Sequence, residues 1–249
     1  MQSKDRIDVI ILTKNSEETI DKCIESVKKN VPLCHLIIVD GFSDDKTLKI
    51  IKEKVKSNLI IIQTDMGLAS CREFALRIAD SDWVAFIDSD IEVNENWKEM
   101  LLLIKNERIG AVEGLTDGNK KEEVNYIKFI QRHFPFLYRH WTANTLIRKN
   151  ALKRFNPPID LKFYEDEYIY RTIKKNGYEW ICLNDKFYAF HHGKGDRFLK
   201  EDIIHGRKYG LINLRKIVLS LLISFLMIFK FGTYPLRRNF TVLRSYLGG

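Results

Sequence analysis

The sequence is poor in the residues that define several common classes of protein. Four cysteines in 249 residues, with no Cys-x-x-Cys pair, are too few for a disulfide scaffold and offer no structural zinc motif. Five prolines and 13 glycines exclude a collagen-like or low-complexity chain. No uncharged apolar run approaches the roughly 20 residues of a membrane-spanning helix. We expect no secretory leader, since the first residues lead directly into a strand-like run, and hence a reducing, cytoplasmic-side location.

The positive charge of the chain is concentrated at one end. The net charge is +8, from 41 Lys and Arg against 33 Asp and Glu. Residues 197–249 contain ten basic and two acidic residues, so this segment alone carries the excess and the remainder is balanced. This distribution argues against a nucleic-acid-binding surface spread over the fold. We expect no nucleic-acid partner, and a cationic tail with a partner of its own.

Apolar runs and helical patterns alternate along the first half of the chain. The predicted strands are 7–12, 36–39, 59–63 and 83–87, and the helices between them are 16–29, 47–55 and 68–79. Continuous apolar strands separated by amphipathic helices predict an α/β fold, with a mostly parallel sheet flanked by helices. A further helix is predicted at 164–176 and a strand-like run at 180–190.

The tail contains an uncharged, mostly apolar run at 217–229 with basic residues on both sides. As a helix it would span about 20 Å, less than the hydrocarbon core of about 30 Å. We predict a domain at 1–196 and a basic, apolar, helical segment at 197–249, which contacts a membrane surface through 211–238. A helix packed on the domain and a dimer contact are the alternatives, and an oligomer is possible.

Polar residues follow three of the predicted strands, where the carboxyl ends of parallel strands place ligands. Thr13 and Asn15 follow the first strand, Asp40 the second, and Asp88 and Asp90 the fourth. Two carboxylates one residue apart at a strand end can share Mg²⁺ or Mn²⁺, which phosphate oxygens commonly complete. Asp40 alone is equally well explained as a turn former or a helix cap.

Three further groups of residues are candidates for the same site. Glu165 and Asp166 open a predicted helix, where a carboxylate could act as general base or simply complement the helix dipole. His191 and His192 end the last predicted strand and could supply a nitrogen ligand to the metal, or form a surface pair in a turn. Arg72, on a predicted helix, could bind a diphosphate or be an ordinary surface arginine.

The order of these segments resembles the family 2 glycosyltransferases, which have the GT-A fold, a Rossmann-like sheet flanked by helices. The resemblance covers roughly residues 7–192. It is carried by Val9 to Asn15, Ile37 to Asp40, Gly67 to Arg72, Phe86 to Asp90, Ala143 to Leu152, Glu165-Asp166, Gly177-Tyr178 and His191-His192. The chain departs from the family pattern where a second acid would follow Asp40, at 155–160, and at Tyr168.

The resemblance implies a metal-dependent, inverting glycosyltransferase of hexosyltransferase type (EC 2.4). It would move a sugar from a nucleotide-diphosphate sugar to an acceptor, which we expect to be lipid-linked, at the cytoplasmic face of the membrane. Asp166 is the implied base, and Mn²⁺ or Mg²⁺ the implied cofactor. The implied donor-binding residues are Thr13, Asn15, Asp40, Arg72, Asp88 and Asp90. The implied metal-binding residues are Asp88, Asp90, His191 and His192. Those near the sugar or acceptor are Trp141, Asn144 and Glu165.

Two other functions stay open at this point. A nucleotidyltransferase would normally need a glycine-rich phosphate loop near the N-terminus, and residues 13–16 contain no glycine. A non-catalytic nucleotide-sugar-binding or membrane-recruitment module with a degenerate transferase fold would bind without turnover. The joint presence of Asp88, Asp90 and Asp166 argues against such a loss of activity.

Overall fold

The computed structural model of the chain describes residues 6–117, 121–193 and 200–247, without the side chains of 121–123 and 200–202. The predicted domain boundary between residues 196 and 197 lies outside the described residues, so the division into 1–196 and 197–249 stays a prediction.

The described residues form two sheets and a set of helices. The strands are β1 (Ile7–Thr13), β2 (Leu33–Asp40), β3 (Leu59–Gln63), β4 (Trp83–Ile87), β5 (Ile91–Val93), β6 (Ile109–Gly114), β7 (Thr116–Asp117), β8 (Asn144–Arg148), β9 (Glu179–Leu183) and β10 (Ala189–His191). The α-helices are α1 (Ile20–Asn30), α2 (Thr47–Lys54), α3 (Leu68–Ile78), α4 (Lys121–His133), α5 (Glu165–Lys175), α6 (Lys200–Lys208), α7 (Leu214–Leu226), α8 (Ile228–Phe231) and α9 (Tyr234–Leu247). Short 3-10 helices occupy Glu95–Leu103, Pro135–Leu137 and Lys149–Leu152.

The large sheet has the strand order β3-β2-β1-β4-β8-β6-β9. Six of its strands run in one direction, and β8 is antiparallel to its neighbours β4 and β6. Successive side chains of β1 enter different cores, since Val9 and Ile11 pack with α1 while Ile10 packs with α3. Burial on both faces explains why these strands are continuous apolar runs. The predicted mostly parallel α/β sheet is confirmed.

The small sheet has the strand order β5-β10-β7. β10 pairs with β5 in antiparallel register, which places His191 opposite Ile91. The single strand-like run predicted at 180–190 is therefore wrong in this detail, because β9 and β10 belong to different sheets. The chain turns between them at Asp185, whose carboxylate accepts a hydrogen bond from the Tyr188 hydroxyl at 2.9 Å.

The C-terminal helices pack against α4 and against one another. Ile223 of α7 and Phe231 of α8 share a core with Tyr126 and Ile130 of α4. The Ser224 hydroxyl is hydrogen-bonded to the Tyr126 hydroxyl at 2.9 Å. The predicted apolar run does not form one helix, because α7 ends at Leu226 and α8 is a separate turn. In the part of the chain that is described, no helix is both long and apolar enough to span a membrane.

The outward face of α7 and α8 is apolar and exposed. Its side chains recur at helical spacing and so form one continuous surface. We call this surface the apolar stripe: Val218, Leu219, Leu222, Phe225, Leu226 and Phe229. The inner face of α7 combines apolar side chains, Ile217 and Ile223, with the buried Ser224, whereas the outward face is apolar alone.

Candidate active site

The carboxyl ends of β1, β2 and β4 meet at one edge of the large sheet. β1 pairs with both β2 and β4, and Thr13 lies opposite Asp40 in the register. Asp88 follows β4 directly, and its backbone N–H donates to the carbonyl of Ala143 at 3.0 Å. The residues predicted from three separate strand ends are therefore brought together.

Asp40 and Asn15 shape the loop between β2 and α2. The buried Asp40 carboxylate accepts hydrogen bonds from the Ser43 backbone at 3.0 Å, from the Ser43 hydroxyl and from the Gln63 amide at 3.0 Å. Asn15 has a left-handed backbone with φ of 50°, and its side-chain oxygen accepts from the Asp44 N–H at 3.0 Å. Asp40 thus has the turn-forming contacts that the sequence left open as an alternative. The Thr13 hydroxyl is buried without a hydrogen-bond partner among the described residues.

Arg72 links the end of β4 to the start of α5. The arginine is 4% exposed, and its Nη2 donates to Asp88 Oδ1 at 3.2 Å. Its Nε lies 3.7 Å from Glu165 Oε1, which is an ion pair beyond hydrogen-bond length. The guanidinium also lies over the Phe86 ring, 4.8 Å from its centroid. Arg72 is consequently a buried cation between two carboxylates and not a surface arginine.

Asp166 is held by two side chains that sequence reasoning missed. Arg139 Nη2 donates to Asp166 Oδ2 at 3.1 Å, and the Thr142 hydroxyl donates to Oδ1. The Arg139 guanidinium is sandwiched between the rings of Trp141 and Tyr164, at 4.5 and 4.0 Å from their centroids. The available signal was an arginine and a threonine beside the aromatic stretch that precedes β8. Their target could not be read from sequence, because it lies 24 to 27 residues further along.

Several acidic residues lie at this edge of the sheet, and burial and neighbouring charges raise the pKa values of two of them. Burial raises the pKa of Glu165 to about 7, and the neighbouring charge of Asp166 adds to the effect. Burial also raises the pKa of Asp88; Arg72 opposes this rise, while Asp90 and Asp166 increase it. Four carboxyl groups thus face two arginines at this edge of the sheet, and this excess of acidic groups favours the binding of a cation.

The residues around Asp90 fit a divalent metal ion. His191 Nε2 lies 3.0 Å from Asp90 Oδ2, and carboxylate oxygens with an imidazole nitrogen suit Mn²⁺. Gly193 allows this approach, since a β-carbon there would lie 2.5 Å from His191 Nε2 and 2.6 Å from Asp90 Oδ2. His192 is turned elsewhere, because its ring bonds Glu92 Oε2 at 2.7 Å. Of the two predicted histidines, the structure thus brings only His191 to Asp90.

Asn144 lies in the protein interior, whereas Trp141 lies beside the crevice. Asn144 is buried, its oxygen accepts from Trp97 Nε1 at 2.9 Å, and its nitrogen donates to the Gly114 carbonyl at 3.2 Å. These bonds give it a packing role at the start of β8, instead of the predicted contact with sugar or acceptor. Trp141 is half-buried beside Arg139, on the side of the crevice where Asp166 lies.

A buried cluster around Glu113 fixes the segment that carries Arg139. The Glu113 carboxylate accepts from Trp180 Nε1 at 2.9 Å, from the Tyr138 hydroxyl and from the Trp141 N–H at 3.3 Å, and it lies 3.2 Å from His140 Nδ1. With His140 and Cys182 it forms a trio of close metal-type ligands. Burial raises the pKa of Cys182, as does Glu113, so the thiol stays protonated. The cluster is therefore a hydrogen-bonded anchor that ties 138–141 to β6.

Comparisons with known proteins agree with this geometry. The sequence model "Glycosyl transferase family 2" matches residues 8–160. Poly(ribitol-phosphate) beta-N-acetylglucosaminyltransferase TarS of Staphylococcus aureus is 28% identical over 206 residues, covering 74% of this chain and 35% of TarS. Glycosyltransferase GlyA of Streptococcus pneumoniae is 23% identical, covering 98% of this chain and 37% of GlyA. The chain thus spans about a third of the length of these curated relatives.

Solved structures show the same fold at low sequence identity. Residues 1–349 of TarS in complex with UDP-GlcNAc superpose with a TM-score of 0.64 at 20% identity, covering 97% of this chain and 71% of that one. A mannosyltransferase from Pyrobaculum calidifontis in complex with GDP-Man and Mn²⁺ gives a TM-score of 0.63 at 16% identity, covering 100% and 76%. These likenesses confirm the predicted GT-A fold. Since the family match extends over more than half of the residues, the chain belongs to glycosyl transferase family 2.

Proposed function

We propose that this glycosyltransferase moves a sugar from a nucleotide-diphosphate sugar to an acceptor hydroxyl with inversion at the anomeric carbon. The observation that carries the proposal is the meeting of two acidic pairs at one edge of the sheet. One pair follows β4 and the other opens α5; the buried Arg72 bridges them through Asp88 and Glu165, and the half-buried Arg139 holds Asp166. The groups concerned are Asp88, Asp90, Glu165, Asp166, Arg72 and Arg139.

The donor and the metal are proposed from the contents of the similar structures. One of these contains UDP-GlcNAc, and another contains GDP-Man with Mn²⁺. In this chain Asp88, Asp90 and His191 would hold the cation, which when bound would supply positive charge to the departing diphosphate. Thr13, Asn15 and Asp40 would border the base and ribose at the ends of β1 and β2. Mn²⁺ and Mg²⁺ both suit such a ligand set.

Asp166 is the proposed general base. Arg139 and Thr142 fix its two oxygens, so a remaining lone pair can accept the proton of the acceptor hydroxyl. As the proton leaves, the acceptor oxygen forms its bond to the anomeric carbon, and the bond from that carbon to the diphosphate breaks on the opposite face. Arg72 keeps a positive charge beside Asp88, where negative charge grows on the leaving group.

The acceptor is proposed to be lipid-linked and the enzyme to work at the cytoplasmic face of a membrane. The apolar stripe supports this, because a contiguous exposed apolar surface indicates a contact with lipid or protein. Exposed basic residues lie near it in the sequence, at Arg215, Lys230 and Arg237, and would favour anionic lipid. A helix that lies in the interface needs no spanning length.

A thermal-shift panel tests the donor and metal assignments. UDP-, GDP- and dTDP-sugars are added with and without Mn²⁺ to the wild type, to Asp90→Asn and to Asp82→Asn. Asp82 is the matched control, since it precedes the opposite end of β4. A donor at 100 times its dissociation constant should stabilise the protein by about 2.7 kcal/mol. We expect a Mn²⁺-dependent shift for one base series, kept in Asp82→Asn and lost in Asp90→Asn. An unchanged shift in Asp90→Asn would reject the metal site, and no shift with any donor would reject the transferase mechanism.

A further inference from the structure

A pocket of about 160 Å³ lies between α4, α7, α9 and the segment that carries Arg139. Part of its wall is apolar, from Tyr126, Ile130 and Ile217 among others. Two basic side chains also line it, Lys216 of α7 and Arg238 of α9, and the mechanism proposed above uses neither of them.

The pocket combines basic side chains with a partly apolar wall. Lys216 and Arg238 line it with one acid, Glu167, while Arg139, which also lines it, is paired with Asp166. The Glu167 carboxylate is already bonded to Arg171 at 2.8 Å, so it does little to compensate the pocket cations. Two basic side chains beside a partly apolar wall suit an anion attached to an apolar or sugar moiety, and lysine and arginine are the usual partners of phosphate.

The pocket adjoins the base of the reaction. Trp141 and Tyr164, which line it, are the two rings that sandwich Arg139. The same guanidinium reaches Asp166 Oδ2 at 3.1 Å. A ligand in the pocket is therefore separated from the base by one side chain, a distance that a single acceptor molecule can bridge.

We propose that this pocket binds the phosphate of a phosphate-bearing acceptor through Lys216 and Arg238, while a hydroxyl of the same acceptor reaches Asp166. The inference rests on the proposed transferase function and specifies its acceptor class. A lipid phosphate and a soluble phosphate ester share this chemistry, and the experiment separates them.

Calorimetric titration with farnesyl phosphate tests the pocket on the full chain. The pocket variant is Lys216→Ala with Arg238→Ala, and the control is Arg215→Ala with Arg237→Ala. The control residues adjoin the pocket residues in sequence, are exposed and do not line the pocket. Both variants lose two positive charges, so non-specific attraction falls equally in the two. We expect the pocket variant to weaken binding at least about tenfold and the control by less than about twofold.

Equal losses in the two variants, or no loss in the pocket variant, would overturn the proposal. Because Lys216 is exposed, Lys216→Glu alone repeats the test if the double variant proves unstable. Farnesol, which lacks the phosphate, should not bind, and binding as tight as that of farnesyl phosphate would also overturn the proposal. A titration with inorganic phosphate distinguishes a lipid phosphate from a soluble phosphate ester. Equal affinity for both phosphates indicates a soluble ester, and tighter binding of farnesyl phosphate indicates a lipid.

The donor assay distinguishes failure of this inference from failure of the proposed function. The pocket variant should keep the Mn²⁺-dependent donor shift, and Asp90→Asn should keep farnesyl phosphate binding. A donor panel without any shift would reject the transferase mechanism even if phosphate binds. Loss of the donor shift in the pocket variant would instead show that the pocket is not a separate acceptor site.

Discussion

At the scale of single residues, the arrangement around Asp166 gives a direct test of the base. Asparagine in its place keeps the size and one acceptor oxygen but cannot take up the proton. We expect Asp166→Asn to lower kcat by about 10²- to 10⁴-fold, the usual contribution of general base catalysis. Donor binding in the thermal-shift assay should be unchanged. A kcat within a factor of about three of the wild type would exclude Asp166 as the base.

Glu165 makes the folding stability depend on pH. Burial, with the charge of Asp166, places its folded pKa at about 7, above the reference value of 4.5. Between these values the folded state binds more protons than the unfolded state, so stability is complete below about pH 4.5 and declines as pH rises through about 7. We expect wild type to lose on the order of 1–3 kcal/mol across this window relative to Glu165→Gln. Urea denaturation of both proteins at several pH values measures this difference, and parallel curves would contradict it.

At the scale of elements, the sequence pattern predicted the strands and helices whose formation depends on local hydrophobic spacing. The strands and helices from Ile7 to Ile87 were found close to their predicted positions, because apolar runs and helical spacing are dictated by burial on one or two faces. The run at 180–190 was misjudged because pairing partners decide where a strand divides, and β9 pairs with β6 while β10 pairs with β5.

In the candidate site, too, some residues could be predicted from the sequence and others could not. Asp88, Asp90 and Asp166 stand next to recognisable elements, so sequence alone could single them out. Arg139 and Glu113 could not be singled out, because their roles depend on partners 25 or more residues away in the chain. Asn144 illustrates the opposite error, since a polar residue at a strand end turned inward to bond Trp97.

A substitution of Glu113 tests whether this buried carboxylate anchors the segment 138–141. Glu113→Ala would leave the indole N–H of Trp180 and the hydroxyl of Tyr138 without their acceptor in a buried setting. We expect a loss of about 2–4 kcal/mol in the free energy of unfolding, measured by urea denaturation. Glu179→Ala, at an exposed position on β9, is the control and should change stability by less than about 0.5 kcal/mol. Equal effects in both variants would show that the cluster is not an anchor.

At the scale of the whole molecule, the exposed apolar surface is concentrated on one side of the C-terminal helices, which suggests how the protein would be oriented on a membrane. The apolar stripe and the basic side chains beside it lie on the C-terminal helices, and the proposed acceptor pocket lies between those helices and the catalytic crevice. A membrane that binds the stripe would therefore contact α7, the helix that also carries Lys216 of the pocket.

Substitutions in the stripe test this orientation without disturbing the core. Leu222→Glu with Phe225→Glu places charge on side chains that are 57% and 66% exposed, so the fold should tolerate the change. Each buried apolar side chain contributes about 1.5–3 kcal/mol to insertion, so we expect at least about a tenfold loss of vesicle binding in flotation with anionic liposomes. Leu102→Glu with Ile159→Glu, at exposed positions 75% and 82% accessible, is the control. Equal flotation of both variants would remove the stripe as the membrane contact.

The bonds of the buried Ser224 on α7 have a consequence for the order in which the chain folds. The hydroxyl of Ser224 needs Tyr126, 98 residues earlier, and the amide of Asn239, 15 residues later. Until both have arrived, α7 is an apolar helix without a settled inner side, and contacts over such a chain separation form slowly. A nascent or truncated chain that lacks α9 would therefore be prone to self-association at this helix. The exposed apolar surface of α7 is confined to the stripe only when Tyr126 and Asn239 have bonded the other face of the helix.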